Sequence, residues 1–189
     1  MEFFDVLARR HSIRRYLSRD VEEEKINLIL EAVNTCPTAG NLQAYHVVVV
    51  RDRERRKKLA KACYNQGFVE EAPVSMVFLA DPERSARRYG RRGMMLYSIQ
   101  DATIAATYAM LSATALDLGT CWVGAFDDDK VREVVGASKD LIPVAVITIG
   151  YSAERPEITG RRKIEEMASI EVLGKPFPHK EVKKEMIRS

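Results

Sequence analysis

Apolar and polar positions along this chain repeat with two different periods. Phe3, Phe4, Val6 and Leu7 share one helical stripe, which predicts a short helix over Glu2 to Arg10. Asp20, followed by three glutamates at 22–24, reads as an N-cap with a negative first turn. That helix carries Ile26, Ile29, Leu30 and Val33 and must stop before Pro37. Tyr45 to Val50 is a β-branched run and predicts a buried strand. Asp52 caps a strongly charged helix from Arg53 to about Tyr64, with Leu59, Ala62 and Cys63 on its apolar side.

Pro73 to Ala80 predicts a second buried strand, and Asp81-Pro82 opens a short basic helix ending near Gly90. A long stretch from about Met94 to Leu118 is apolar nearly all round, which predicts a central core helix stopped by Gly119. Thr120 to Val123 is a short third strand. Asp127 to Val135 is a capped helix ended by Gly136, and Pro143 to Gly150 is a fourth strand. Strands that are apolar on both faces belong to a sheet covered on both sides. A single α+β or α/β layered domain over residues 1–189 follows. Periodicity fades after Ser152, and the 152–189 segment reads as a C-terminal extension of the kind that lies on a partner subunit.

Composition narrows the class. With 189 residues, 46% hydrophobic and 30% charged, the chain can bury one core and is not disordered. No apolar run is long enough to cross a bilayer, and the acidic, amphipathic start is unlike a secretory signal, so a cytoplasmic protein is expected. Cys36, Cys63 and Cys121 are odd in number and far apart, which fits a reducing compartment and neither a disulfide framework nor a metal site. A net charge of +3 is too mild for a surface devoted to nucleic acid. Side-chain amides are scarce, a pattern of heat-adapted proteins, so the few that remain draw notice.

Four features could carry chemistry. Arg9-Arg10-His11-Ser12-Ile13-Arg14-Arg15-Tyr16 packs guanidiniums and a hydroxyl together; it reads either as a phosphate grip or as a basic helix end. Cys36 to Tyr45 combines small residues with Asn41 and Gln43, as a planar ligand's loop or an ordinary helix-to-strand turn would. Gly119 to Asp127 places Gly124 and Ala125 at a strand-to-helix switch, where bare amides can meet a ligand edge or simply make a tight turn. Arg161 to Glu166 is a basic knot or a solvated turn.

In this order and spacing, RRHSIRRY, PTAGNLQAYHVVVV and GTCWVGAFD resemble the nitroreductase-like FMN-dependent oxidoreductases, from about Glu2 to Met167. The resemblance implies a central, mostly antiparallel sheet of four to five strands flanked by helices. It implies that Arg10 and Ser12 meet the phosphate and ribityl chain of FMN, with a backbone contact at His11 and Arg14 at the flavin N1 and C2 carbonyl edge. Pro37, Thr38, Ala39 and Asn41 match a loop that reaches the flavin from the other subunit. Asn65 or Gln66 matches an amide at the pyrimidine edge. Val123, Gly124 and Ala125 match the amides facing N5 and O4, and Arg162 and Lys163 a second phosphate pair, with Arg161 able to shift into either role.

The resemblance further implies a homodimer with FMN at its interface, and a ping-pong cycle. NADH or NADPH gives a hydride to the flavin. A small electrophilic acceptor, such as a nitroaromatic or quinone, then takes the electrons. Other readings are reductive dehalogenation, a flavin-binding sensor or carrier without turnover, and, last, a phosphate or nucleic-acid binder. Arg84, Arg87, Arg88, Arg91 and Arg92 read as selectors of an anionic substrate or of the nicotinamide cofactor's phosphate, or as a solvated helix.

Overall fold

The protein is described by a computed structural model covering residues 2–156 and 159–180. Two compact units divide at Pro156 and are taken in turn.

In the first unit, four strands form one antiparallel sheet in the order β1-β2-β4-β3. They are β1 (Tyr45–Val50), β2 (Val74–Ala80), β3 (Gly119–Val123) and β4 (Ile142–Gly150). The central strand β2 is buried throughout, and its side chains alternate between two cores. Val74, Met76 and Phe78 face α2 (Glu23–Asn34) and α6 (Ser98–Ala115), where Ile29 and Val33 pack with a row of fully buried alanines at 105, 106, 109 and 113. Val77 and Leu79 face α3 (Arg53–Ala62), α4 (Phe68–Glu71) and α7 (Asp128–Val135) through Leu59, Val69 and Val131. Small residues on α6 let its backbone lie close to the sheet, so this helix forms the floor on which the loop before β1 rests.

Local chemistry accounts for most boundaries. Asp52, Asp81 and Asp127 each cap a helix by accepting from the backbone N–H three residues on. Three expectations shift. The second helix starts at Glu23, not near Asp20, because Val21 is 1% exposed and the chain stays extended to bury it. The long helix expected from about Met94 starts as one π-helical turn over Gly93–Tyr97, which joins α5 (Pro82–Arg92, irregular at Gly90) to α6. Its stop is Asp117, at φ 60, while Gly119 already belongs to β3. The first helix, α1, spans Phe3–Arg9.

The second unit contains α8 (Ile164–Met167) and a small turn in which Ser169 bridges Pro176. The N–H of Phe177 donates to Ala168 O at 2.9 Å and that of Ile170 to Lys175 O at 2.8 Å.

Candidate functional site

The β3 edge of the sheet is where several of the predicted residues gather. A Cβ at Gly119 would sit 2.8 Å from Cγ1 of Ile13, so glycine lets the segment after α1 lie directly on the strand. Ser12 bridges Thr120 in parallel, and Ile13 N–H donates to Thr120 O at 2.9 Å. The buried Tyr16 hydroxyl donates to Ile13 O at 2.7 Å and lies 2.7 Å from Thr148 Oγ1. Burial holds its phenol above the ordinary range despite that hydrogen bond. The Arg14 N–H donates to Glu154 Oε1 at 2.6 Å, which fixes the backbone and leaves the guanidinium exposed. His11, half-buried, lines a polar cleft of about 170 Å³ with Arg9, Asp117 and Glu154.

Arg10, Ser12 and Arg14 converge on Cys121. Burial pushes this thiol up; Arg14, a hydrogen bond with Ser12, and Arg10 oppose that shift. Neither Arg10 nor Arg14 pairs with a carboxylate among the described residues. Thr120 Oγ1 is buried and has no hydrogen-bond partner among them. An unpartnered buried hydroxyl, beside the half-buried Arg10 and the exposed Arg14, forms a setting that suits an anion.

At the other end of β3 the second group assembles. Val123 is buried, while Gly124 and Ala125 are exposed. Tyr64 and Asn65 adopt left-handed φ of 54° and 61°, turning the chain after α3 onto this switch. Gln66 Nε2 donates to Cys63 O at 3.0 Å and Ala125 O at 3.3 Å. The Asp127 N–H donates to Ala62 O at 2.9 Å, and the Tyr64 hydroxyl to Phe126 O at 3.3 Å. Asn65, Gln66, Gly124 and Ala125 are thus neighbours, although 59 residues separate Gln66 from Ala125.

Pro37, Thr38, Ala39 and Asn41 lie elsewhere. Their loop feeds β1, the opposite edge of the sheet, three strand spacings or roughly 14 Å from β3. Its anchor is Asp101 on α6, 1% exposed, which accepts from Ala39 N–H at 2.9 Å and Ala44 N–H at 3.3 Å. Burial raises the Asp101 carboxyl, while these two amides favour its charge. Gly40, Asn41 and Gln43 all have positive φ, at 57°, 57° and 49°, and Gln43 Nε2 donates to Asn41 Oδ1 at 2.9 Å. Strain of this kind persists only where surroundings impose it. Pro37, Thr38 and Ala39 line a cavity of about 500 Å³ with Tyr97, Gln100 and Asp101. Arg162 and Lys163 are exposed and immediately precede α8, in the second unit.

Sequence reading missed Asp101, Cys121 and Thr120. Only Asp101, a lone acid in an otherwise apolar helix, carried a signal that could have been noticed.

Residues 7–79 and 62–151 match the Nitroreductase family. An NADH dehydrogenase of Thermus thermophilus is 31% identical over 173 residues, covering 77% of this chain and 84% of that protein. An FMN reductase [NAD(P)H] of Bacillus subtilis is 30% identical, covering 82% of this chain and 67% of its own length. A solved FMN-dependent nitroreductase from Clostridium difficile R20291 superposes with a TM-score of 0.73 at 30% identity, covering 83% of this chain and 91% of that one.

Proposed function

The chain belongs to the Nitroreductase family, and from that premise we propose an FMN-dependent oxidoreductase that draws on NADH or NADPH to reduce a small electrophilic acceptor, such as a nitroaromatic or quinone. The observation that carries this reading is that the Ser12–Ile13 segment, flanked by Arg10 and Arg14, pairs with Thr120 on β3 while Gln66 meets the Gly124-Ala125 switch past the end of the same strand.

The residues present fit the group. Arg10 and Ser12 supply donors for its phosphate and ribityl chain, with His11 contributing backbone. When bound, FMN supplies the two-electron chemistry that no side chain here can provide. Arg14 holds a fixed positive charge, which favours negative charge on the bound ring system. Val123, Gly124 and Ala125 offer backbone amides with little side chain in the way. Asn65 and Gln66 offer amide groups held in place by the turn after α3.

The strand order supports a two-fold homodimer. The 37–41 loop and the 10–14 segment belong to opposite edges of one sheet, so a shared ligand draws them from different copies. The extension from residue 152, of which residues 157–158 and 181–189 lie outside the described residues, is then expected on the partner subunit. Three buried free thiols suit a reducing cytoplasm.

Purified protein is expected to be yellow and to bleach with NADH or NADPH without oxygen, and Arg10→Ala is expected to retain FMN at least tenfold less tightly, roughly one charged hydrogen bond. Colourless protein that takes up no added FMN sinks the proposal. Yellow protein that neither nucleotide bleaches means a flavin-binding module instead.

A further inference from the structure

The arginines of α5 have no part in the FMN site, and their arrangement decides between the roles their sequence left open. Arg84, Arg87 and Arg88 stand at i, i+3 and i+4, on one helix face, and all are exposed. Glu83 is the lone acid on the helix, and none of the seven ion pairs among the described residues involves an α5 arginine. Like charges at this spacing repel, so the face is destabilising unless it meets an anion.

Two of these guanidiniums are already oriented. Arg84 Nε donates to Leu42 O at 2.5 Å, and an Arg88 terminal nitrogen donates to Gly40 O at 3.4 Å. Each spends one of five N–H groups on the loop and keeps the others open. Arg87, between them, makes no hydrogen bond or ion pair among the described residues. The loop they hold is shaped for this contact. A Cβ on Gly40 would run into the Tyr89 hydroxyl and the Arg88 guanidinium, and φ is +57° there. Pro37 to Ala39, the other half of the same loop, line the 500 Å³ cavity. That volume is typical of a small-molecule pocket.

We propose that Arg84, Arg87 and Arg88 form an anion subsite beside this cavity that reads the 2′-phosphate of NADPH and makes NADPH the preferred reductant. The proposal rests on the oxidoreductase reading above. A phosphomonoester carries close to two charges and three acceptor oxygens, which matches a cluster of forked donors. A carboxylate-bearing acceptor carries one charge and needs one arginine.

With FMN-loaded protein, kcat/KM for NADPH should exceed that for NADH by about tenfold or more and fall more steeply with added salt. Arg87→Ala, which breaks no loop contact, should lower the NADPH-to-NADH ratio about tenfold. Calorimetry gives a readout independent of the flavin. Adenosine 2′,5′-bisphosphate should bind more tightly than adenosine 5′-monophosphate, and Arg87→Ala should erase the difference. Protein that takes up no FMN would sink the oxidoreductase reading, while the calorimetry would still decide the subsite. Equal use of both nucleotides by the natural chain, or equal loss of both in Arg87→Ala, overturns the proposal. So does an unchanged ratio with a raised KM confined to carboxylate-bearing acceptors, which would assign the arginines to the acceptor.

Discussion

The two edges of the sheet are finished in opposite ways. At β3 the chain covers its own edge: the segment after α1 pairs with the strand, and glycine at 119 makes the contact close. At β1 the edge strand is reached through a loop of strained residues, pinned from below by a buried carboxylate and from the side by α5. An edge closed by backbone pairing is a rigid platform for ligands. A loop held by a few side-chain bonds can present a ligand-binding face whose shape is adjustable. The proposed homodimer would bring both to one cofactor.

The sharpest way to break the contrast is at the closed edge. Gly119→Val puts branched carbon where Ile13 already sits, and overpacking of that order costs about 3 kcal/mol. For a domain of this size that lowers Tm by roughly 6–12 °C. FMN retention should fall along with stability, because Ser12 and Arg14 ride on the displaced segment. Thermal unfolding and flavin absorbance measured on one sample check both, and a stable Gly119→Val protein that still holds FMN would detach the site from this edge.

The open edge should respond differently. Asp101→Ala leaves the amides of Ala39 and Ala44 buried without their acceptor, at a cost of about 2 kcal/mol. The expected damage is local: faster hydrogen exchange at residues 37–44, and weaker FMN binding, with exchange at β3 unchanged. Asp101→Asn keeps one acceptor oxygen and should fall between the two. Uniformly faster exchange across the sheet would show that Asp101 supports the whole core and not the loop.

The same contrast explains what could be read from sequence. β1, α7 and the three aspartate caps were legible because each depends on residues close in sequence. The pairing of Ser12 with Thr120, of Ala39 with Asp101 and of Gln66 with Ala125 depends on folding, over separations of 108, 62 and 59 residues. Family resemblance supplied Ser12 and both residues of the third pair, but neither Thr120 nor Asp101. Gly119 shows how a local rule misleads. It looked like a helix stop, and its actual role is to make room for Ile13. Val21 did the same to the start of α2, since burial outweighed the capping signal at Asp20.

The smallest expected effect tests how the closed edge continues past Tyr16. There Tyr151 donates its hydroxyl to Glu22 Oε2 at 2.6 Å and accepts from Lys25 Nζ at 3.0 Å, with Arg19 stacked 3.9 Å over its ring. The Tyr151 hydrogen bond, chiefly, and then the Glu22 backbone and Arg19 lower the Glu22 carboxyl from 4.5 to about 2. A depressed folded-state value means the stabilisation is complete above pH 4.5 and is lost as pH falls toward 2. Glu22→Gln should therefore lower Tm slightly at pH 7, and the gap from the natural chain should close as pH falls through that window. Because the Glu22 side chain is 40% exposed, added salt should shrink the same gap at pH 7. A gap that stays constant from pH 7 to pH 2 would mean that the network holds Glu22 by packing and that its charge contributes nothing to this edge.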